Sequence, residues 1–543
     1  MLTRHPLIPS SERRGITGRP SCLRRGGGGP RSLGIAKCRS FANAQDDNLR
    51  AMCHMLVQRG AGRLGLRCQL KPRVAESHEL AQVGETEEVM GVTMRRLVQH
   101  SMVLALSGFL LAVLVAFQMF SNPAAAQTAA TPAARGASAA ASPEEVGLSS
   151  ERLERITSAI QRIIDDGRVA GGVALVARHG KIVYLKAVGM ADREAKKPIR
   201  TDSIFRICSM TKPITSVAVM MLYEEGRFTL NQPVSDFIPE FKNMKVLDPP
   251  YPQDKTSPPG ALVDAKRPIT IRHLLTHTAG LTYGGARLGK VYSDAGINGG
   301  LIQNEATIGD AMKKLALQPL LFQPGDVWEY SLADDVLGYL VVVVSGMPLD
   351  KFFQDRIFKP LGMKDTYFFL PDDKVPRLAT AYTYYPEKGL QPILDKQVLK
   401  DGELAYSADY PYRGPRTYFS GGGGLCSTAE DYYRFCQMML NGGQFNGVRL
   451  LSRKSVELMS QNHVEEKRAD GGYGLGFGVT SEPKYLKELG SVGSYYWGGF
   501  YYTAFVIDPK EDLVAIFMGQ LHPTGGLNLD EKVKRLAYQA IKD

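Results

Sequence analysis

Two tryptophans, nine histidines and seven cysteines in 543 residues leave little material for several common kinds of site. Four of the cysteines fall in the first 93 residues. The other three, Cys208, Cys426 and Cys436, are an odd set, so no disulfide framework is expected. Cys426 and Cys436 have a pairing open to them in an oxidising compartment, with buried packing the expected role of each. No Gly-x-Ser-x-Gly elbow occurs, which excludes a serine exposed on a strand-to-helix turn of that kind. The run Gly421-Gly422-Gly423-Gly424 lacks the Gly-Lys-Ser/Thr ending of a phosphate loop, and its glycines are expected to bring backbone close beside a cleft. A charge excess of one sign is also missing where it would matter. The whole chain is +11, but residues 127 to 543 carry 49 Lys and Arg against 47 Asp and Glu. That near neutrality gives no basis for binding nucleic acid.

The first 144 residues do not read as folded core. Residues 1 to 93 are rich in Arg and Gly, show little periodicity, and are read as an extension upstream of the native start. Met94-Arg95-Arg96 then opens a segment whose middle, residues 102 to 117, is almost wholly apolar and which ends in Asn122-Pro123-Ala124-Ala125-Ala126. Basic start, apolar middle and small residues at an A-x-A site are the layout of an export signal over 94 to 126. Export to the periplasm or medium is expected; left uncleaved, the segment would anchor the protein in a membrane instead. Residues 127 to 144, mostly Ala, Thr, Ser and Pro, read as a flexible linker.

One large domain is expected over 145 to 543. Apolar residues at Leu153, Ile156, Ile160, Ile163 and Ile164 predict a helix over 149 to 166, capped by Ser149 or Ser150. Two apolar runs around Arg178-His179-Gly180 predict a hairpin. From 209 to about 424 the chain turns helical and loop-rich, with Leu274, Leu275, Leu315, Leu317 and residues 336 to 344 expected to be buried. Strands return at 500 to 507 and 513 to 518, and residues 529 to 541 predict a last helix. The fold class is therefore α/β (α+β): an antiparallel sheet from 145 to 208 and 425 to 543, flanked by the terminal helices, with a mainly helical subdomain inserted. The cleft between the two parts is the expected ligand site.

Ser209-Met210-Thr211-Lys212 carries the chemistry, since a serine three residues before a lysine puts hydroxyl and amine on one helical face. The apolar run from Pro213 to Tyr223, closed by Gly226, predicts a buried helix starting at about Ser209. The hydroxyl would then sit where backbone N–H groups can hold an oxyanion. A second match, Ser481-Glu482-Pro483-Lys484, lacks such a run and reads as surface loop.

Ser209-x-x-Lys212 opening a buried helix resembles the first motif of serine β-lactamases and penicillin-binding proteins. The resemblance covers roughly residues 145 to 543 and implies a β-lactamase-like fold. It implies a partner tyrosine on a loop, matched by Tyr330 in Pro324-Gly325-Asp326-Val327-Trp328-Glu329-Tyr330-Ser331-Leu332. On the strand beside the nucleophile that superfamily usually has Lys-Thr-Gly, where this chain reads Trp497-Gly498-Gly499-Phe500. By the resemblance, the backbone N–H groups of Ser209 and Phe500 form the oxyanion hole, and Trp497, Gly498, Gly499 and Leu332 line the pocket, with packing at a strand edge as the alternative role of Trp497. Leu332 stands where class C β-lactamases hold an asparagine, and Trp497 replaces a cation. Ser-x-x-Lys, Tyr-Ser-Leu and Trp-Gly-Gly together resemble the family VIII carboxylesterases, which cleave short-chain esters.

That resemblance implies a serine hydrolase acting on small esters through an acyl-enzyme on Ser209, with Lys212 and Tyr330 sharing proton transfer and no cofactor or metal; the signal layout adds the expectation that it is exported. Two alternatives stand beside it. One is a class C-like β-lactamase or D-alanyl-D-alanine carboxypeptidase, with Arg416 or Lys487 binding the carboxylate. The other is a non-catalytic binding protein of the same fold. His273 and His277 have the spacing of a helical zinc pair, but Leu274 stands where that motif needs glutamate. His277-Thr278-Ala279-Gly280-Leu281 instead resembles a structural segment of the superfamily. Asp334 and Asp335 are expected at a helix start, with orientation of the site as their alternative role. Ser427-Thr428-Ala429-Glu430 reads as a capping box.

Overall fold

Residues 142–251, 260–284, 287–468 and 471–543 are described in a computed structural model. The expected extension, the export signal and most of the linker lie outside them.

Helix α1 (Ser150–Asp165) begins where the periodicity places it, because the Ser149 side chain accepts from the Arg152 N–H and satisfies one orphan donor. Its buried stripe is Leu153, Ile156, Ala159 and Ile160. Strands β1 (Gly171–Arg178) and β2 (Lys181–Asp192) then pair antiparallel. Their connecting residues, His179 and Gly180, have φ of 53° and 72°, as a two-residue loop matching strand twist requires.

The sheet is completed by β3 (Lys197–Pro198) and by five strands from the end of the chain. These are β4 (Gly472–Tyr473), β5 (Gly478–Val479), β6 (Tyr495–Gly499), β7 (Thr503–Asp508) and β8 (Leu513–Met518). The order is β4-β5-β6-β7-β8-β1-β2-β3, every pair antiparallel. First and last strands meet where Val173 pairs with Met518 and Arg178 with Leu513. Both faces of this pair are covered, so β1 and β8 are buried along nearly their whole length instead of alternating.

Three helices carry the inner side: α2 (Thr211–Glu224), α3 (Ala333–Ser345), packed on α2, and α4 (Ala429–Leu440), packed on β8. The outer face is covered by α1 and α5 (Leu529–Tyr538). Arg178, 5% exposed, ties the two ends of the domain to the sheet, donating to the Val146 carbonyl and pairing with Asp543 at 2.7 Å. No single helix among the described residues is long and apolar enough to cross a membrane.

The inserted part is less purely helical than its sequence suggests. It holds three small hairpins: Lys245–Asp248 with Ala261–Asp264, Tyr382–Tyr385 with Gly389–Pro392, and Val398–Asp401 with Leu404–Ser407. Leu317, expected inside, is 78% exposed, because the helix Ile308–Leu315 has ended before it. The cap of α4 is Thr428, which accepts from the Asp431 N–H, in place of the expected box at Ser427 and Glu430, and the Asp431 carboxylate accepts from the Asp365 N–H and the Thr366 hydroxyl instead of closing a box. The three cysteines of the domain are free and buried. Lys484 of the second Ser-x-x-Lys lies on an exposed turn, paired with Glu482 at 3.2 Å.

Candidate active site

Ser209 does not open an α-helix. Residues Cys208–Met210 form a 3-10 turn, and α2 begins at Thr211. Cys208 has φ of 43°, a left-handed conformation that costs a non-glycine residue energy and turns the chain sharply out of the short strand Phe205–Arg206. This two-residue displacement of the helix start preserves the spacing that matters. Lys212 Nζ lies 3.3 Å from Ser209 Oγ, and the lysine is wholly buried. Its other neighbours come from far along the chain: Tyr283 Oη at 2.8 Å and the Gly422 carbonyl at 2.6 Å. The glycine run therefore does approach the site, also accepting from Thr215 Oγ1 at the Gly421 carbonyl. A Cβ at Gly422 would meet the Asp335 carboxylate, which requires the missing side chain.

Two tyrosines stand at Lys212, where the sequence pointed to one. Tyr330 meets the lysine with its ring, whose centroid is 4.6 Å from Nζ, while its hydroxyl accepts from Trp497 Nε1 at 3.4 Å and faces the cleft with Ser209. Tyr283 makes the direct hydrogen bond. Burial raises its phenol well above the usual value, so it remains neutral and orients the amine. Nothing local distinguishes Tyr283 among 24 tyrosines except its place two residues after the His277 to Leu281 segment.

That segment supports the site from behind. His277 Nδ1 lies 3.1 Å from Ser331 Oγ and its Nε2 lies 3.2 Å from Asp334 Oδ2. Burial lowers the imidazole pKa, and the ring packs 4.9 Å from that of Tyr330. His277 and Asp334 thus brace the loop that presents Tyr330. His273 faces elsewhere, its Nδ1 accepting from the Thr270 N–H in a capping box. Among the described residues no group of three or more His, Cys, Asp and Glu is placed to hold a metal ion.

Asp335 is fully buried, accepts from Ser420 Oγ at 2.7 Å, and its carboxyl is raised to about 6 by burial, against the Ser420 hydrogen bond and the nearby Lys212 charge. Its unfolded value is 3.8. Between about pH 4 and 6 the native protein keeps a proton here that the unfolded chain has released, so stability falls as pH rises through that window. Asp335→Asn will remove this contribution. Urea midpoints measured at about pH 5 and 7 will lie closer together in the variant; an undiminished difference would assign the slope to Asp431, likewise raised to about 6.

The facing wall is the end of β6. Ser209, Tyr330, Trp497, Gly498, Gly499 and Phe500 share one cleft of about 510 Å³. A Cβ at Gly499 would collide with the Ile207 carbonyl, so the glycine lets β6 lie against the turn carrying the serine. Phe500 is held from outside: His522 stacks on its ring at 3.6 Å, approaches its carbonyl at 3.1 Å, and is anchored to Asp401 at 3.0 Å. Sequence reasoning passed over both of these residues, which meet only through the 398–407 hairpin. Leu332 is 1% exposed and borders a separate cavity with Tyr283, rather than the cleft of Ser209. Arg416 is engaged by Asp372 and the Tyr412 carbonyl, and neither it nor Lys487 lines the cleft. The cation against Trp497 is Arg468, 8% exposed, with its guanidinium 5.6 Å from the indole centroid.

The Beta-lactamase family model matches residues 156–539. The chain is 33% identical over 363 residues to the esterase EstB of Burkholderia gladioli, an alignment spanning 65% of this chain and 86% of EstB. It is 30% identical over 397 residues to a Salmonella typhi protein named as a candidate D-alanyl-D-alanine carboxypeptidase, spanning 70% of this chain and 85% of that one. Among solved structures, EstCE1, a hydrolase with promiscuous acyltransferase activity, is similar with a TM-score of 0.62 and 29% identity, covering 72% of this chain and 99% of EstCE1.

Proposed function

Because this chain belongs to the β-lactamase family and is a serine hydrolase of that superfamily, we propose that it hydrolyses carboxylic esters through an acyl-enzyme on Ser209. The observation that carries this reading is the 3.3 Å approach of Lys212 Nζ to Ser209 Oγ at the floor of a cleft walled by Trp497, Gly498 and Gly499. A serine hydroxyl attacks only as its proton leaves. The amine at 3.3 Å takes that proton while Oγ bonds to the ester carbonyl carbon. The carbonyl oxygen becomes an oxyanion facing the N–H groups of Ser209 and Phe500. As the tetrahedral intermediate collapses, the C–O bond to the alcohol breaks and the proton passes to the leaving oxygen by way of the Tyr330 hydroxyl. Water then attacks the acyl carbon, giving its proton to the same relay; the bond from that carbon to Ser209 Oγ breaks as Oγ takes the proton back, and the carboxylic acid leaves. No cofactor enters this sequence.

Esters, rather than β-lactams or peptides, follow from what borders the cleft. Trp497 and Tyr330 present ring and phenol where a carboxylate-binding cation would stand, and Arg468, the cation against the indole, does not line the cleft. Location outside the cytoplasm is supported by the signal-like pattern of residues 94 to 126. The purified domain will turn over 4-nitrophenyl acetate and butyrate with kcat/KM at least about a hundredfold above that for a chromogenic cephalosporin, the scale of penalty expected where a polar group finds no partner. Efficient cephalosporin cleavage without ester turnover would transfer the protein to the β-lactamase or peptidase reading.

A further inference from the structure

We propose that the cleft continues past Ser209, over Gly498, into a groove between the outer face of the sheet and α5, and that this groove takes the apolar arm of the ester. The proposal rests on Ser209 being the nucleophile and adds where one arm of the substrate lies.

Strand alternation sets the geometry. Trp497 and Gly499 face the inner core with α2, whereas Tyr496 packs with the outer cluster under α5, so Gly498 belongs to the outer face. Its cross-strand partner is Ala504, and the neighbouring outer row runs Tyr496, Val506, Ala515. A glycine and two alanines leave the sheet bare there, and Val533 and Lys534 of α5 close the space from above. The cavity that holds Ser209 is continuous with this space, and its 510 Å³ is of the size that small-molecule sites occupy.

The glycine at 498 is what keeps the passage open. At Gly499 a side chain is excluded by backbone. At Gly498 an added Cβ would meet only the Thr503 carbonyl, at 3.3 Å, and otherwise project into empty space. Its backbone does not have the positive φ that would demand glycine. Packing asks little for a glycine here, whereas a passage along the strand requires one.

The chemistry of the groove selects an uncharged, apolar arm. Its apolar walls are Tyr496, Val506, Phe517 and Val533, Thr524 and Asn528 add uncharged polar groups, and the ammonium of Lys534 at its rim lies 3.7 Å from Glu531 and over the Tyr496 ring at 5.3 Å. That cation is already partnered, and Asp530 and Glu531 beside it disfavour an anion.

The test compares wild type with Ala504→Leu, which fills the groove from β7, and with the smaller Ala504→Val should leucine impair folding. Two series are needed: 4-nitrophenyl acyl esters from acetate to octanoate, and alkyl acetates from ethyl to octyl, so that the acyl and alcohol arms are distinguished. In one series wild-type kcat/KM will rise with length, and Ala504→Leu will lower the long-to-short ratio at least about tenfold. Binding of 1-octanol gives a readout without turnover, through fluorescence of the two tryptophans, Trp328 and Trp497, both in the aromatic cluster around Tyr330. It will weaken at least about tenfold in the variant. Ratios and octanol binding unaltered by Ala504→Leu would overturn the groove while leaving Ser209 as nucleophile. Ester turnover that survives in Ser209→Ala, with octanol binding still lost in Ala504→Leu, would overturn the nucleophile instead.

Discussion

Ser209→Ala will lower kcat/KM for 4-nitrophenyl acetate by about 10⁴-fold or more, since loss of a nucleophile removes the covalent route and leaves only oxyanion stabilisation and binding. No neighbour can replace the hydroxyl. The adjacent Cys208 is wholly buried, its sulfur 3.8 Å from Tyr410 Oη, and burial pushes its thiol up to about 11, so almost no thiolate forms at neutral pH. The variant will fold, because removing one hydroxyl beside a cleft creates no core cavity. Intact-mass measurement after fluorophosphonate treatment will show one adduct on wild type and none on Ser209→Ala. Residual turnover within about tenfold of wild type would sink the mechanism.

Lys212→Met will cost about 10³-fold or more in kcat, the upper part of the range for a positioned proton acceptor. Methionine keeps the length and apolar stem of the lysine while removing its nitrogen. In the proton-accepting form the amine has two N–H donors and one lone pair. The donors match the Gly422 carbonyl and Tyr283 Oη, which leaves the lone pair for the Ser209 proton. The loss will be mainly in kcat, with KM little altered, because the amine lies beneath the serine and not among the groups that wall the groove. Companion variants divide the tyrosine roles. Tyr330→Phe will slow alkyl acetates, with their poor leaving groups, far more than 4-nitrophenyl acetate, whose leaving group needs no proton. Tyr283→Phe will slow both series equally, since it alters only how Lys212 is held. The opposite pattern would make Tyr283 the donor and Tyr330 the support.

Much of the fold was legible because it rests on local rules. Ser149 caps α1, His179-Gly180 turns a hairpin, and the apolar run after Lys212 can only be a buried helix. The resemblance carried the strand end at Trp497-Gly498-Gly499 in the same way. Where the structure departs from local preference, long-range packing overrides it. Ser209 sits in a 3-10 turn because the chain must leave Phe205–Arg206 and pass beneath β6 at Ile207, a constraint set almost 300 residues away. Thr428 caps α4 instead of Ser427, whose hydroxyl is engaged with Thr366, 2.8 Å away.

The sequence by itself determined which atoms are available for chemistry: a serine and lysine three apart, an ionically balanced domain, and a strand whose glycines admit backbone at close range. Only the tertiary structure decided which tyrosine hydroxyl touches the lysine, that a glycine carbonyl 210 residues away fills its third position, and that Leu332 lies outside the cleft. The physical reason is one of range. Spacing along one helix positions groups to within a turn, whereas a hydrogen bond needs tenths of an ångström, and here that precision comes from segments brought together only when the sheet and the inserted helices close around Lys212.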